Sequence, residues 1–238
     1  MRKIVAAVFL AMAFAVSAVG SAGEDIYIDA GKLYLDKYNQ AKSVSVKKEF
    51  LKNAETDFRH ALKINPSRGA AYAGLARTYT RYSLFTPKPF FPFSMLPKFW
   101  MNNKEQKLLL MAMDFGADAV KYGSSEGESY LSLGEAELQS CSATESDKYL
   151  SEAFMNLQKA KELDKMNPEV YSLFSWAYLT RYYFDGNVAD YNLALECLEK
   201  AYQLSPADSY RAKHLERLII YLKTCHNLKM VKFLLELS

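Results

Sequence analysis

Cysteine, histidine and glycine are scarce in this 238-residue chain, at three, three and ten. Cys141, Cys197 and Cys225 are odd in number, far apart and never in C-x-x-C, so neither a redox motif nor a zinc site is suggested. Buried free thiols are the expectation. His60, His214 and His226 stand singly, without ligand or catalytic spacing. No glycine-rich phosphate loop, H-E-x-x-H or calcium loop occurs. Strand-type alternation is nowhere sustained, which leaves an all-α chain. Excess charge is lacking as well. The formal +3 falls to about +1 once Arg2 and Lys3 are set aside, which argues against a nucleic-acid binder. Gly123-Ser124-Ser125-Glu126-Gly127 satisfies G-x-S-x-G in letters. A nucleophile elbow needs a strand entering it, and here a helix enters. No enzyme, cofactor or metal is expected.

What the chain has is a recurring order of small and aromatic residues. Four times a segment spaced as W-x2-L-G-x2-Y is followed by a second with two small residues around a bulky one. The first segments carry Tyr27, Ala30, Gly31 and Tyr34; Tyr72, Leu75, Ala76 and Tyr79; Tyr130, Leu133, Gly134 and Glu137; Tyr171, Phe174, Ser175 and Tyr178. The second carry Ala54, Phe58 and Ala61; Ala112, Gly116 and Ala119; Ala153, Leu157 and Ala160; Ala194, Leu198 and Ala201. Helices that cross closely need Gly, Ala or Ser at the facing positions, and all such positions here comply. Gly116 departs by replacing a bulky filler, and Glu137 by replacing an aromatic.

This order resembles the tetratricopeptide repeat (TPR), a helix–turn–helix unit. The resemblance implies a right-handed α-solenoid of about four degenerate helix pairs. The units are residues 24–67, 68–126 with an insert at 83–103, 127–167 and 168–208. Residues 209–238 follow as C-terminal capping helices, because a solenoid leaves its last apolar face open. The units are longer than the family's roughly 34 residues. The excess lies between the two helices of each unit, as longer helices or a decorated turn, and Lys42 to Lys48 reads as a long turn.

Residues 1–22 read as a secretory signal peptide: Arg2 and Lys3, an apolar stretch Ile4 to Val19, then Gly20-Ser21-Ala22. No cysteine stands nearby for a lipid anchor, and the expected location is the bacterial periplasm. Ser83 to Asn103 is unusual, with Pro87, Pro89, Pro92 and Pro97 set among Phe85, Phe90, Phe91, Phe93, Phe99 and Trp100. That proline density excludes a regular helix, and that much ring surface requires burial. Two readings stay open: a structural flap over the solenoid, or a lid or docking surface for a partner or membrane.

In the family the first helix of each unit lines a concave groove. Carried over, this places Ile28, Lys32, Leu35 and Asp36 there, then Ala73, Arg77, Thr80 and Arg81. Glu128, Leu131, Glu135, Leu138 and Gln139 follow, then Glu169, Ser172, Trp176, Leu179 and Thr180. The cap adds Lys213, Arg217 and Tyr221. The groove reads as basic near Lys32, Arg77 and Arg81 and acidic near Glu128, Glu135 and Glu169, with Trp176 its leading candidate contact. The family's grip on a peptide carboxylate uses Lys and Asn where this chain has Ile28 and Lys32. The leading reading is a non-catalytic scaffold for a protein or peptide. The alternative is a solute-binding or accessory component of a periplasmic (TRAP-type) transport system, with residues 83–103 as lid.

Overall fold

The spacing of small and bulky residues emerges as helices in the computed structural model, which describes residues 23–85 and 103–224. Among these, nine helices and no strand occur. They are α1 (23–40), α2 (Val44–Ile64), α3 (Gly69–Ser83), α4 (Asn103–Tyr122), α5 (Gly127–Thr144), α6 (Asp147–Leu163), α7 (Pro168–Asp185), α8 (Val188–Leu204) and α9 (Tyr210–Thr224). Local chemistry starts and stops them. The Asn167 side chain accepts from the backbone N–H of Glu169 with Pro168 opening α7, and Asn187 accepts from Ala189 at the start of α8. Gly186 ends α7 in the left-handed region at φ 70°.

The helices pair as α3 with α4, α5 with α6 and α7 with α8, and α3, α5 and α7 also pack side by side. The small positions are the contact points. Ala54, Ala61, Ala112, Ala119, Ala153, Ala160, Ala194 and Ala201 are fully buried, and Gly31, Ala76, Gly134 and Ser175 are buried with them. Phe58 shows why. Its ring lies between Gly31 and Gly74, where an added Cβ would stand 2.7 and 2.3 Å from the ring. Gly116 is explained by its neighbour, since a Cβ there would come within 2.9 Å of the Leu133 side chain, which takes the missing filler's place. The other departure, Glu137, is 6% exposed and accepts two hydrogen bonds from the Asn156 amide, at 2.9 and 2.8 Å.

The extra length of units one, three and four lies in the helices. Residues 41–43, 145–146 and 186–187 are the whole of their internal turns, and Val44 to Lys48 are helical. The long turn expected at Lys42 to Lys48 is thus three residues, 41–43, because Val44, Val46 and the following run continue an amphipathic helix. In unit two the corresponding stretch, with Phe90, Phe91, Phe93, Phe99 and Trp100, lies outside the described residues. So do residues 1–22 and the second capping segment with Cys225. Cys141 and Cys197 are free thiols, and burial pushes their pKa up to about 12 and about 11. The turn holding Ser125 joins α4 to α5 with no strand before it. Gly123 there abuts Gly69 so closely that a Cβ on Gly69 would meet it at 2.7 Å. The helix α9 closes the last core against α8 through Leu215 and Leu222. No helix of the described residues is long and apolar enough to cross a membrane.

Candidate functional site

Stacked helix pairs bring equivalent positions side by side, and the second and ninth residues of the first helices make the site. Glu128, Glu169 and Arg211 are each the second residue of α5, α7 and α9. The two acids sit in a first turn, where the helix dipole favours them. Arg77 and Glu135 are each the ninth residue of α3 and α5. The Arg77 side chain, 11% exposed, reaches across three helices. Its Nη1 lies 2.7 Å from Glu128, its Nε donates to Glu135 at 3.1 Å, and its Nη2 lies 2.6 Å from Glu169. Arg211 Nη2 approaches the other oxygen of Glu169 at 3.5 Å, and Arg81 Nη2 lies 3.9 Å from Glu135.

The electrostatics follow from this geometry. Burial opposes the charge on Arg77, but Glu128, Glu169 and Glu135 outweigh it and raise its pKa further. Burial likewise opposes the charge on Glu169, and the Arg77 and Arg211 guanidiniums overcome it, lowering its pKa to about 2. Apart from Lys32, the basic and acidic halves read from the sequence are therefore one network of ion pairs. Linear reading separated residues that the stacking of units places in contact.

Beside the network opens a basin of about 190 Å³ lined by Lys32, Leu35, Asp36, Asn39, Arg77, Arg81, Glu128, Glu169 and Arg211. It brings together Lys32, Leu35, Arg77 and Arg81 from the expected groove, with Glu135 just behind. Several expected groove residues lie elsewhere, Ile28 among them, in the core beside Ala61, Ala70 and Ala71. Leu131 and Leu138, two turns apart on α5, are fully buried in the core between α5, α6 and α7, and Leu179 is buried in the core shared with α8 and α9. A middle helix is flanked on both sides, so this stripe faces a neighbour rather than the groove. Trp176 is half-buried against the α5–α7 core, and its Nε1 has no acceptor among the described residues. Asn39 and Arg211 were not anticipated. Arg211 shares the helix position of Glu128 and Glu169, and that recurrence is the signal in the sequence that points to it. Among the described residues no group of three His, Cys, Asp or Glu side chains stands where it could hold a metal ion.

No family model matches the chain. No curated protein matches it either. Solved structures do. The thermophilic TPR protein TTC0263 of Thermus thermophilus superposes with a TM-score of 0.55 at 18% identity, over 87% of this chain and 86% of that one. The chain has the TPR fold. Two looser matches are the pilF protein of Pseudomonas aeruginosa and YrrB, described as a TPR protein with an unusual peptide-binding site. The first has a TM-score of 0.49 at 20% identity, over 91% of this chain and 78% of that one. The second has 0.30 at 19% identity, over 85% and 97%.

Proposed function

We propose that this TPR-fold chain is a non-catalytic periplasmic scaffold that binds a protein or peptide partner across its concave face. The observation that carries the reading is the basin. Side chains from α1, α3, α5, α7 and α9 converge on one side of the solenoid, over buried charges already satisfied by one another. A surface built by five helices is fixed in shape before a partner arrives, so little ordering cost opposes binding. Periplasmic location rests on residues 1–22, and mass spectrometry of the N-terminus of the exported protein tests it. An intact Met1 would remove it. The partner reading is tested by cross-linking and capture from native envelope, with Lys32→Glu on the basin rim and Lys159→Glu on α6 as control. A partner lost with the first variant and kept with the second is the expected result. Equal capture by both would take the concave face out of consideration.

The alternative, a solute-binding or transport-accessory component, keeps one supporting observation, the small basin itself. It loses another, since the lengthened turns that would frame a cavity are helices in units one, three and four. The lid reading concerns residues outside the described ones.

A further inference from the structure

We infer that the basin is a binding site for a small α-amino acid in its zwitterionic form. This goes beyond the docking of a macromolecule around it. The argument begins with what the ion pairs leave over. Within the basin Arg77 and Arg211 are engaged by the acids of α5 and α7. Arg81 is not engaged to the same degree. It is 8% exposed, its nearest carboxylate is Glu135 at 3.9 Å, beyond hydrogen-bond reach, and its Nη1 has no acceptor. Its face is turned to the Tyr38 ring at 5.6 Å. On the wall that α1 contributes, Lys32 and Asp36, one turn apart, have no ion-pair partner among the described residues. Asn39 completes that wall with an amide.

The basin therefore offers both signs at once. Arg81 and Lys32 are the cations available to a carboxylate, and Asp36 and the Asn39 carbonyl oxygen are acceptors available to an ammonium. The lining carries four cations and three acids, and Glu135 just behind it evens the count, so no net field draws a simple anion. A ligand carrying both charges within a few ångströms matches the arrangement, because each of its charges gains a counter-charge as it leaves water. Size limits it further. A volume of about 190 Å³ holds roughly six waters at about 30 Å³ each. That suits glycine, alanine or serine within the basin, whereas a length of peptide would extend out of it over the surrounding face.

The test is isothermal titration calorimetry of the purified protein with glycine, L-alanine and L-serine, with acetate and methylammonium as half-ligand controls. At least one amino acid should bind saturably at one per chain, at least ten-fold more tightly than either half. Lys32→Gln and Asp36→Asn, both exposed and checked for unchanged circular dichroism, should each weaken it at least five-fold, and Lys159→Gln on α6 should not. Arg81→Gln should weaken it most. If that variant unfolds, the two rim variants decide. No saturable heat with any of the three, acetate binding as tightly as the amino acids, or rim variants without effect would each overturn the proposal. Partner capture from envelope is read separately, so the two readings fail independently.

Discussion

Glu169 and Glu137 are both carboxylates set among packed helices, and their surroundings drive them in opposite directions. Glu169 faces Arg77 and Arg211, which outweigh its burial and lower its pKa to about 2. Glu137, between α5 and α6, has no cation paired with it among the described residues. Burial raises its pKa to about 7, only partly offset by the Asn156 amide, and Glu152 adds to the rise. Burial alone therefore does not set the state of a carboxylate; the partner does. Against an ordinary value of 4.5, linkage gives the two opposite slopes. Glu169 contributes stability that is present above its ordinary value and lost as pH falls through about 2. Glu137 contributes stability that is full below its ordinary value and lost as pH rises through about 7. Together they favour a mildly acidic optimum.

The largest way to break the comparison is Arg77→Met. It leaves three carboxylates facing one another with their shared cation gone, and the expected loss is about 3–5 kcal/mol by urea unfolding at pH 7. At pH 3 the loss should shrink, because protonated carboxylates need no counter-charge. A loss under about 1 kcal/mol at both pH values would mean that the network is not held together by Arg77.

Next in size is Glu137→Gln, which replaces the charge without changing the shape. Melting at pH 8 should rise, by about 1–3 kcal/mol in stability, since the variant no longer carries a buried anion. At pH 4, below the ordinary carboxyl value of 4.5, the proton is held in both the folded and the unfolded chain, and the difference should nearly vanish. A gain of equal size at both pH values would point to packing and remove the electrostatic account.

How legible these features were differs between the two carboxylates and the frame that holds them. The frame was open to reading, because steric rules act through residue type at fixed spacing. Gly31, Ala153 and Ala194 had to be small whatever surrounded them, and they are buried where the spacing put them. Gly74 escaped notice because it answers to Phe58 of another helix rather than to the motif. The site was half legible. Lys32, Leu35, Arg77 and Arg81 do share a surface, since one helical face follows from 3.6 residues per turn. That Leu131 and Leu138 turn into the core, and that Arg77 spans Glu128, Glu135 and Glu169, depends on how neighbouring units are rotated against each other. Charge signs along the chain do not encode that rotation. For Glu137 the sequence showed only the missing aromatic; Asn156, nineteen residues on, could not be paired with it by spacing alone.

The smallest effect sharpens the comparison from inside the network. Glu128 is the most exposed of the three acids around Arg77, with 29% of its side chain open against 12% for Glu135 and 22% for Glu169. Removing its charge with Glu128→Gln leaves Arg77 flanked by two carboxylates, and Glu169 still held by both Arg77 and Arg211. A partly solvated pair contributes little when the shared cation keeps other partners, so stability at pH 7 should change by no more than about 0.5 kcal/mol. Glu169→Gln should cost more, because it takes the counter-charge from two guanidiniums at once. Urea unfolding of the two variants side by side reads the difference. If Glu128→Gln costs as much as Glu169→Gln, Arg77 has no surplus of negative charge around it, and the hub is a set of separate pairs.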